Sequence, residues 1–338
     1  MSMEEFNAMQ VSFNTALRIF MKSPGADAAA LIEQFNHLKR MRPTGTHGTH
    51  PHIVTVAHRF DPAGLSAVSP AYRILEVMRD VVLPIERYVH SFIVHGSYAT
   101  QDFISSWSDV DTMIVLTDDV FNSAETLLRV QKTFLKAGLL CYWIDPLAHH
   151  QLSFMTELDL TWYPQSFLPL SSFEQGMLLL GQPRLQFMVR DDAIERKAIV
   201  ERFAGRFKRK VAANDWSRTL YDWKNDLAHI FLLPSLLLQS AGIFVHKKDS
   251  FSEAERRFSD IDMRPIREAT RIMRAWDTSN FVRYLPPRLM MRLPYKVASA
   301  AVRLTREPSR AALPAQDPSV VERLTREFND LYTYAATP

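Results

Sequence analysis

The stretch Ser91-Phe92-Ile93-Val94-His95-Gly96-Ser97, followed after eleven residues by Asp109-Val110-Asp111-Thr112-Met113-Ile114-Val115, decides how this chain is read. A short apolar run leads into a Gly-Ser turn, and a second apolar, β-branched run surrounds Asp111. Each run predicts a strand. Glycine directly after a strand lets backbone amides approach a triphosphate closely, and the serine hydroxyl donates to a phosphate oxygen. Asp109 and Asp111, at i and i+2 on a strand, share one face. Carboxylates held side by side are costly unless a divalent cation sits between them. Turn and carboxylate pair together read as a site for a metal ion and a triphosphate.

Around this stretch the pattern is that of an α/β unit: strands at 91–94, 110–116, 139–144 and 152–162, with a helix at 123–136. Ahead of it, apolar side chains at helical spacing predict helices at 3–22 and 26–41, separated by Ser23-Pro24-Gly25, and another at 70–85. Residues 42–58 form a polar loop with a short strand near 53–56; its His47, His50, His52 and His58 lack the spacing and partners of a structural zinc site. Beyond Gly181 the chain predicts helices at 191–211, 216–240, 251–259, 264–277, 288–304 and 318–334, with a Pro-rich connector at 308–318. The expected architecture is α+β in three parts: an N-terminal helical extension with the His-rich loop (1–69), a small mixed β-sheet domain (70–183) and an all-helical C-terminal domain (184–338).

The composition agrees. With 338 residues, 47% hydrophobic and 23% charged, the chain is not disordered over its length and has room for about two domains. Cys141 is the only cysteine, which excludes an internal disulfide and a thiolate-based zinc or iron–sulfur site and points to a reducing, cytoplasmic compartment. Residues 1–183 carry 12 Lys and Arg against 18 Asp and Glu, while 184–338 carry 28 against 19. The net charge of +3 is thus an acidic part plus a basic part, a distribution that hints at a polyanion or a phosphate ligand. Only Gly205 and Gly242 follow Gly181, as a mostly helical segment requires. The acidic start, Met1-Ser2-Met3-Glu4-Glu5, predicts no secretory signal, and the most apolar stretch, 230–238, is broken by Pro234 and too short to span a bilayer. No membrane partner is expected.

In Gly96-Ser97 followed by Asp109-Val110-Asp111 within a strand, the sequence resembles the nucleotidyltransferase superfamily related to DNA polymerase beta. The resemblance covers residues 85–165; beyond them the helical half is similar in architecture to antibiotic-type and minimal nucleotidyltransferases. It implies transfer of a nucleoside monophosphate from an NTP to an acceptor hydroxyl, with pyrophosphate leaving. Asp109 and Asp111 would hold two Mg2+ ions, or Mn2+, roughly 3.5–4 Å apart. A third carboxylate on a later strand would complete the first metal's shell and accept the acceptor's proton. Asp159, flanked by leucines, is the first choice, Glu157 the second and Asp145 the third.

Other residues take supporting parts. Gly96 and Ser97 would bind the nucleotide, and Lys247 and Lys248 would reach its triphosphate from the helical half as point charges. His149-His150 follows Asp145-Pro146 and is a candidate for the site's mouth. The acceptor is open between a small molecule, a protein hydroxyl and an RNA end. Two other functions fit the same pattern: a non-catalytic nucleotide sensor, and a toxin-like enzyme whose basic half grips tRNA or protein.

Overall fold

The computed structural model describes residues 3–42, 49–66, 69–104, 106–149, 151–277, 285–306 and 318–336. His47, His150 and residues 308–317 of the expected connector lie outside them. The N-terminal helices form as the periodicity requires. In α1 (Met3–Lys22), Phe6, Phe13, Leu17 and Phe20 line one buried face. In α2 (Ala28–Arg40), Leu31, Phe35 and Leu38 do the same, and the Asp27 carboxylate caps the first turn by accepting from the amides of Ala29 and Ala30.

The sheets follow. After β1 (Thr49–Thr55), β2 (His58–Arg59), α3 (Pro62–Ser66) and α4 (Pro70–Val82) come β3 (Val89–His95), α5 (Ser97–Thr100), β4 (Asp111–Leu116), α6 (Ala124–Ile144) and β5 (Ser153–Thr156). Then α7 (Glu157–Leu160), β6 (Tyr163–Pro164), α8 (Leu170–Glu174), β7 (Met177–Gly181) and β8 (Arg184–Arg190) complete this half. One mixed sheet has the order β2-β7-β3-β4-β5, and a smaller one has the order β1-β8-β6. Strand β3 is antiparallel to β4 and β7, whereas β5 runs parallel to β4 after the α6 crossover. Side chains alternate across the larger sheet. Ile93, Met113, Val115 and Met155 pack with Val54 and Phe187 of the smaller sheet, while Phe92, Val94, Ile114 and Leu116 pack toward the helices. Both faces are covered, which is why these strands read as continuous apolar runs.

The rest is largely helical. α9 (Ala193–Ala213), α10 (Leu220–Ile230), α11 (Leu233–Ser240), α12 (Lys247–Arg257) and α13 (Arg264–Arg274) build a second core around Phe207, Trp223 and Leu227. α14 (Pro287–Arg292) and α15 (Tyr295–Arg306) leave that core and pack on α4 and α6, where the Lys136 ammonium donates to the Met291 carbonyl at 2.6 Å. α16 (Pro318–Ala336) returns to it, with Phe328 and Tyr332 beside Phe207. The chain is a mixed α+β protein with small mixed sheets and a helical C-terminal part. Among the described residues no helix is long and apolar enough to cross a membrane.

Three expectations are corrected. Residues 139–144 are the last turns of α6, because the helical spacing of Leu127, Val130, Phe134, Ala137 and Cys141 continues through them. Residues 152–162 are not one strand: β5 ends at Thr156, and the next residues wind into α7. Residues 184–190 are strand β8, paired along its length with β1, so the segment from 184 onward is not all helical.

The winding of α7 has a cause in Asp159. One carboxylate oxygen, Oδ2, accepts from the Thr156 amide at 2.7 Å and the Thr156 hydroxyl at 2.9 Å, closing the turn. The other, Oδ1, accepts from Gln10 Nε2 and Asn14 Nδ2, both at 2.9 Å, and so fastens α1 to the sheet. Replacing Asp159 by Ala should therefore lower stability by about 2–3 kcal/mol in urea unfolding. Unaltered unfolding would contradict this role.

Candidate active site

The site lies at the end of the larger sheet where β3 stops and β4 and β5 begin. Register places His95 opposite Asp111. Gly96 follows with φ +68° and ψ −153°, a conformation that residues with a side chain avoid. It has a second reason to be glycine: a Cβ there would lie 2.8 Å from Asp111 Oδ2. The turn is thus pressed against the carboxylate. Ser97, half-buried, opens α5 directly beside it.

Asp109 sits just ahead of β4, separated from Asp111 by the buried Val110, and its charge acts on the Asp111 carboxyl. Neither carboxylate makes a hydrogen bond or ion pair with a described residue. Burial, and then the charge of Asp109, push the Asp111 carboxyl up to about 7, while Lys247 and Lys224 pull it back. A half-buried anion pair with no direct partner is what a cation would relieve.

Lys224 is the residue that sequence reasoning missed. Its ammonium is buried, 2.6 Å from Asp145 Oδ2 and 2.6 Å from the Trp107 carbonyl, and it lies over the Trp107 ring. Trp107 itself reaches into the helical core, edge-on to Phe231 and Trp276. The loop bearing Asp109 is thereby anchored to the helical half. The signal was available: a lysine one turn before Leu227, next to the apolar face of α10 formed by Trp223, Leu227 and Ile230. Asp145 lies near the pair, since burial and then the charge of Asp109 raise its pKa against the opposing Lys224. Cys141, one turn earlier in α6, is pushed up to about 12 by burial and by the same aspartate.

The other expected residues divide. Lys247 is exposed at the start of α12, four residues before the start expected for that helix, and its charge acts on Asp111. Lys248 shares that turn, with its amide donating to His246 Nδ1 at 3.3 Å. Glu157 and Asp159 do not join Asp109 and Asp111. Leu116, at the far end of β4, is the residue paired with Thr156, so roughly 16 Å of strand separates Asp111 from α7. Glu157 instead accepts from the Asp118 amide at 3.1 Å. Among the described residues no group of three or more His, Cys, Asp or Glu side chains is placed to hold a metal ion. The candidate donors are the two aspartates. Magnesium suits such a site, because it is commonly held by one or two carboxylates with phosphate oxygens and water completing the shell. No protein-family model, curated protein or solved structure matches the chain.

Two outcomes follow from the geometry. Because the Asp111 pKa is raised on folding, its contribution to stability is present at low pH and is lost as pH climbs toward 7 in metal-free protein. Asp111→Asn should therefore gain stability relative to wild type between about pH 4 and 7 in thermal unfolding. A parallel pH dependence of the two proteins would refute the shift. Gly96→Ala, strained by its φ and by the Asp111 oxygen, should cost about 1–2 kcal/mol in thermal unfolding with far-UV circular dichroism unchanged.

Proposed function

We propose that the chain is a divalent-metal-dependent nucleotidyltransferase of the superfamily related to DNA polymerase beta. It would move a nucleoside monophosphate from an NTP to an acceptor hydroxyl and release pyrophosphate. The observation that carries this reading is the abutment of the positive-φ Gly96 turn on a carboxylate pair that has no direct partner of its own. The lone, buried Cys141 supports a cytoplasmic setting.

Asp109 and Asp111 would hold Mg2+ or Mn2+. When bound, the cation neutralises triphosphate charge and polarises the phosphorus under attack. The Gly96 turn would bring backbone amides, and Ser97 a hydroxyl donor, to phosphate oxygens near Asp111. Lys247 adds positive charge from the helical half. Lys224, acting through Trp107 and Asp145, keeps the Asp109 loop in place without touching substrate. The protein's contribution is positioning and charge neutralisation.

A second reading, nucleotide binding without turnover, is favoured by one observation. The third carboxylate expected from the resemblance is missing from the pair: Asp159 caps α7, and Asp145 is already ion-paired with Lys224. Incubation with each labelled NTP, Mg2+ or Mn2+, and a cell extract separates the two. Turnover should appear with wild type and fall at least about a hundredfold in Asp109→Asn and in Asp111→Asn. Cation-dependent triphosphate binding without any labelled product would establish the second reading instead.

A further inference from the structure

A cavity of about 540 Å³ opens between α6, the first turn of α10 and α15, with Tyr142, Gln151, Tyr221, Tyr295, Arg303 and Arg306 in its wall. Its size is that of a small-molecule pocket. Its place is set by the sheet. Ser153 pairs with Met113, and carrying that parallel register back brings Gln151 alongside Asp111. The wall is joined to that end of the sheet by contacts: Arg306 holds the carbonyl of Pro146, next to Asp145, and α10, whose first turn supplies Tyr221, carries the Lys224 that pairs with Asp145 and whose charge acts on Asp111.

The wall is cationic and aromatic. Arg303 is exposed and makes no hydrogen bond or ion pair with a described residue. Arg306 is braced: its Nε donates to the Pro146 carbonyl at 2.9 Å, and its guanidinium lies 4.0 Å from the Tyr142 ring centroid and 5.9 Å from that of Tyr221. The one carboxylate among the described wall residues, Asp222, accepts from the Thr219 hydroxyl at 2.7 Å in the cap of α10. Two guanidiniums recognise an oxyanion, and tyrosine faces recognise a flat ring.

We propose that this cavity binds the acceptor, and that the acceptor is a small planar molecule bearing a phosphate or carboxylate together with the hydroxyl that reacts. The inference rests on the nucleotidyltransferase reading. An in-line displacement needs acceptor and leaving group on opposite sides of the α-phosphorus, so with a triphosphate at the Gly96 turn the acceptor would have to enter from another side, and the cavity beyond Asp145 offers such an entrance. The acceptor oxygen forms a bond to the α-phosphorus and the α–β anhydride bond breaks. Pyrophosphate leaves with the electron pair, and the hydroxyl proton passes to water.

The test uses phenyl phosphate and salicylate as probes, titrated calorimetrically into the full chain with Mg2+ and a non-hydrolysable NTP analogue. At least one probe should bind wild type. Arg303→Ala should weaken it at least about tenfold and Arg303→Glu should abolish it. Both variants should keep wild-type unfolding curves and wild-type Mg2+-dependent binding of the NTP analogue. Asp109→Asn with Asp111→Asn should lose the NTP analogue and keep the probe, so failure of the metal site is distinguishable from failure of the cavity. Wild type that binds the NTP analogue and neither probe would overturn the proposal, as would probe binding indifferent to Arg303 or labelling confined to nuclease- or protease-sensitive polymer.

Discussion

The buried ammonium of Lys224 is the constraint on which the site depends. It is held between the Asp145 carboxylate and the Trp107 carbonyl, with the paired side chains 3% and 2% exposed. Burying such a pair gains little net stability, but removing one partner strands a charge in the interior and costs about 3–5 kcal/mol. The pair therefore acts chiefly as a fastener. Lys224 comes from the helical half, Asp145 from the turn between α6 and β5, and Trp107 from the loop before Asp109. Three segments distant in sequence meet at one nitrogen, and the position of Asp109 follows from that meeting.

The chemistry gathers at one end of the sheet for a topological reason. β3 is antiparallel to β4, and β5 is parallel to it, so the end of β3 and the starts of β4 and β5 share an edge. Gly96, Asp111 and Gln151 all fall there. The opposite edge receives the end of β5, and its polar groups serve the fold: Asp159 joins α1 to α7, and Glu157 holds the amide of Asp118. Two carboxylates at i and i+2 share a face only while the backbone stays extended. Once it winds at Glu157, the spacing loses that meaning.

This is also where the sequence stops being legible. The strand ends at Gly96 and Asp111, the N-terminal helices and most of the later helices follow from periodicity and glycine placement, because local spacing determines them. The end of α6 does not, since an apolar run at the close of a buried helix has the same composition as a strand. Asp159 was misplaced because leucines on either side suit a capped helical turn as well as a strand. Lys224, Arg306 and the cavity wall depend on contacts across as many as 160 residues of chain, as between Arg306 and Pro146, and no local pattern encodes those. Lys224 alone left a trace, as a charge next to an apolar helical face.

The charge asymmetry, finally, has a more specific meaning than a basic half facing an acidic one. Part of the excess in the helical region is neutralised inside it: Arg206 and Lys210 both pair with the fully buried Asp226, and Arg323 bridges Glu268 and Glu327. Exposed pairs such as Arg264 with Asp262 are screened by water and salt and contribute little to a field at the carboxylates. What bears on the site is placement. Lys224 acts on Asp111 from beneath the Asp109 loop and Lys247 from the start of α12, while Arg303 and Arg306 line the cavity on a helix that leaves its own domain core to pack on α6. A helical region could be far less basic overall and still set the field at these carboxylates, provided Lys224 and Lys247 stayed on the elements that bring them to this edge.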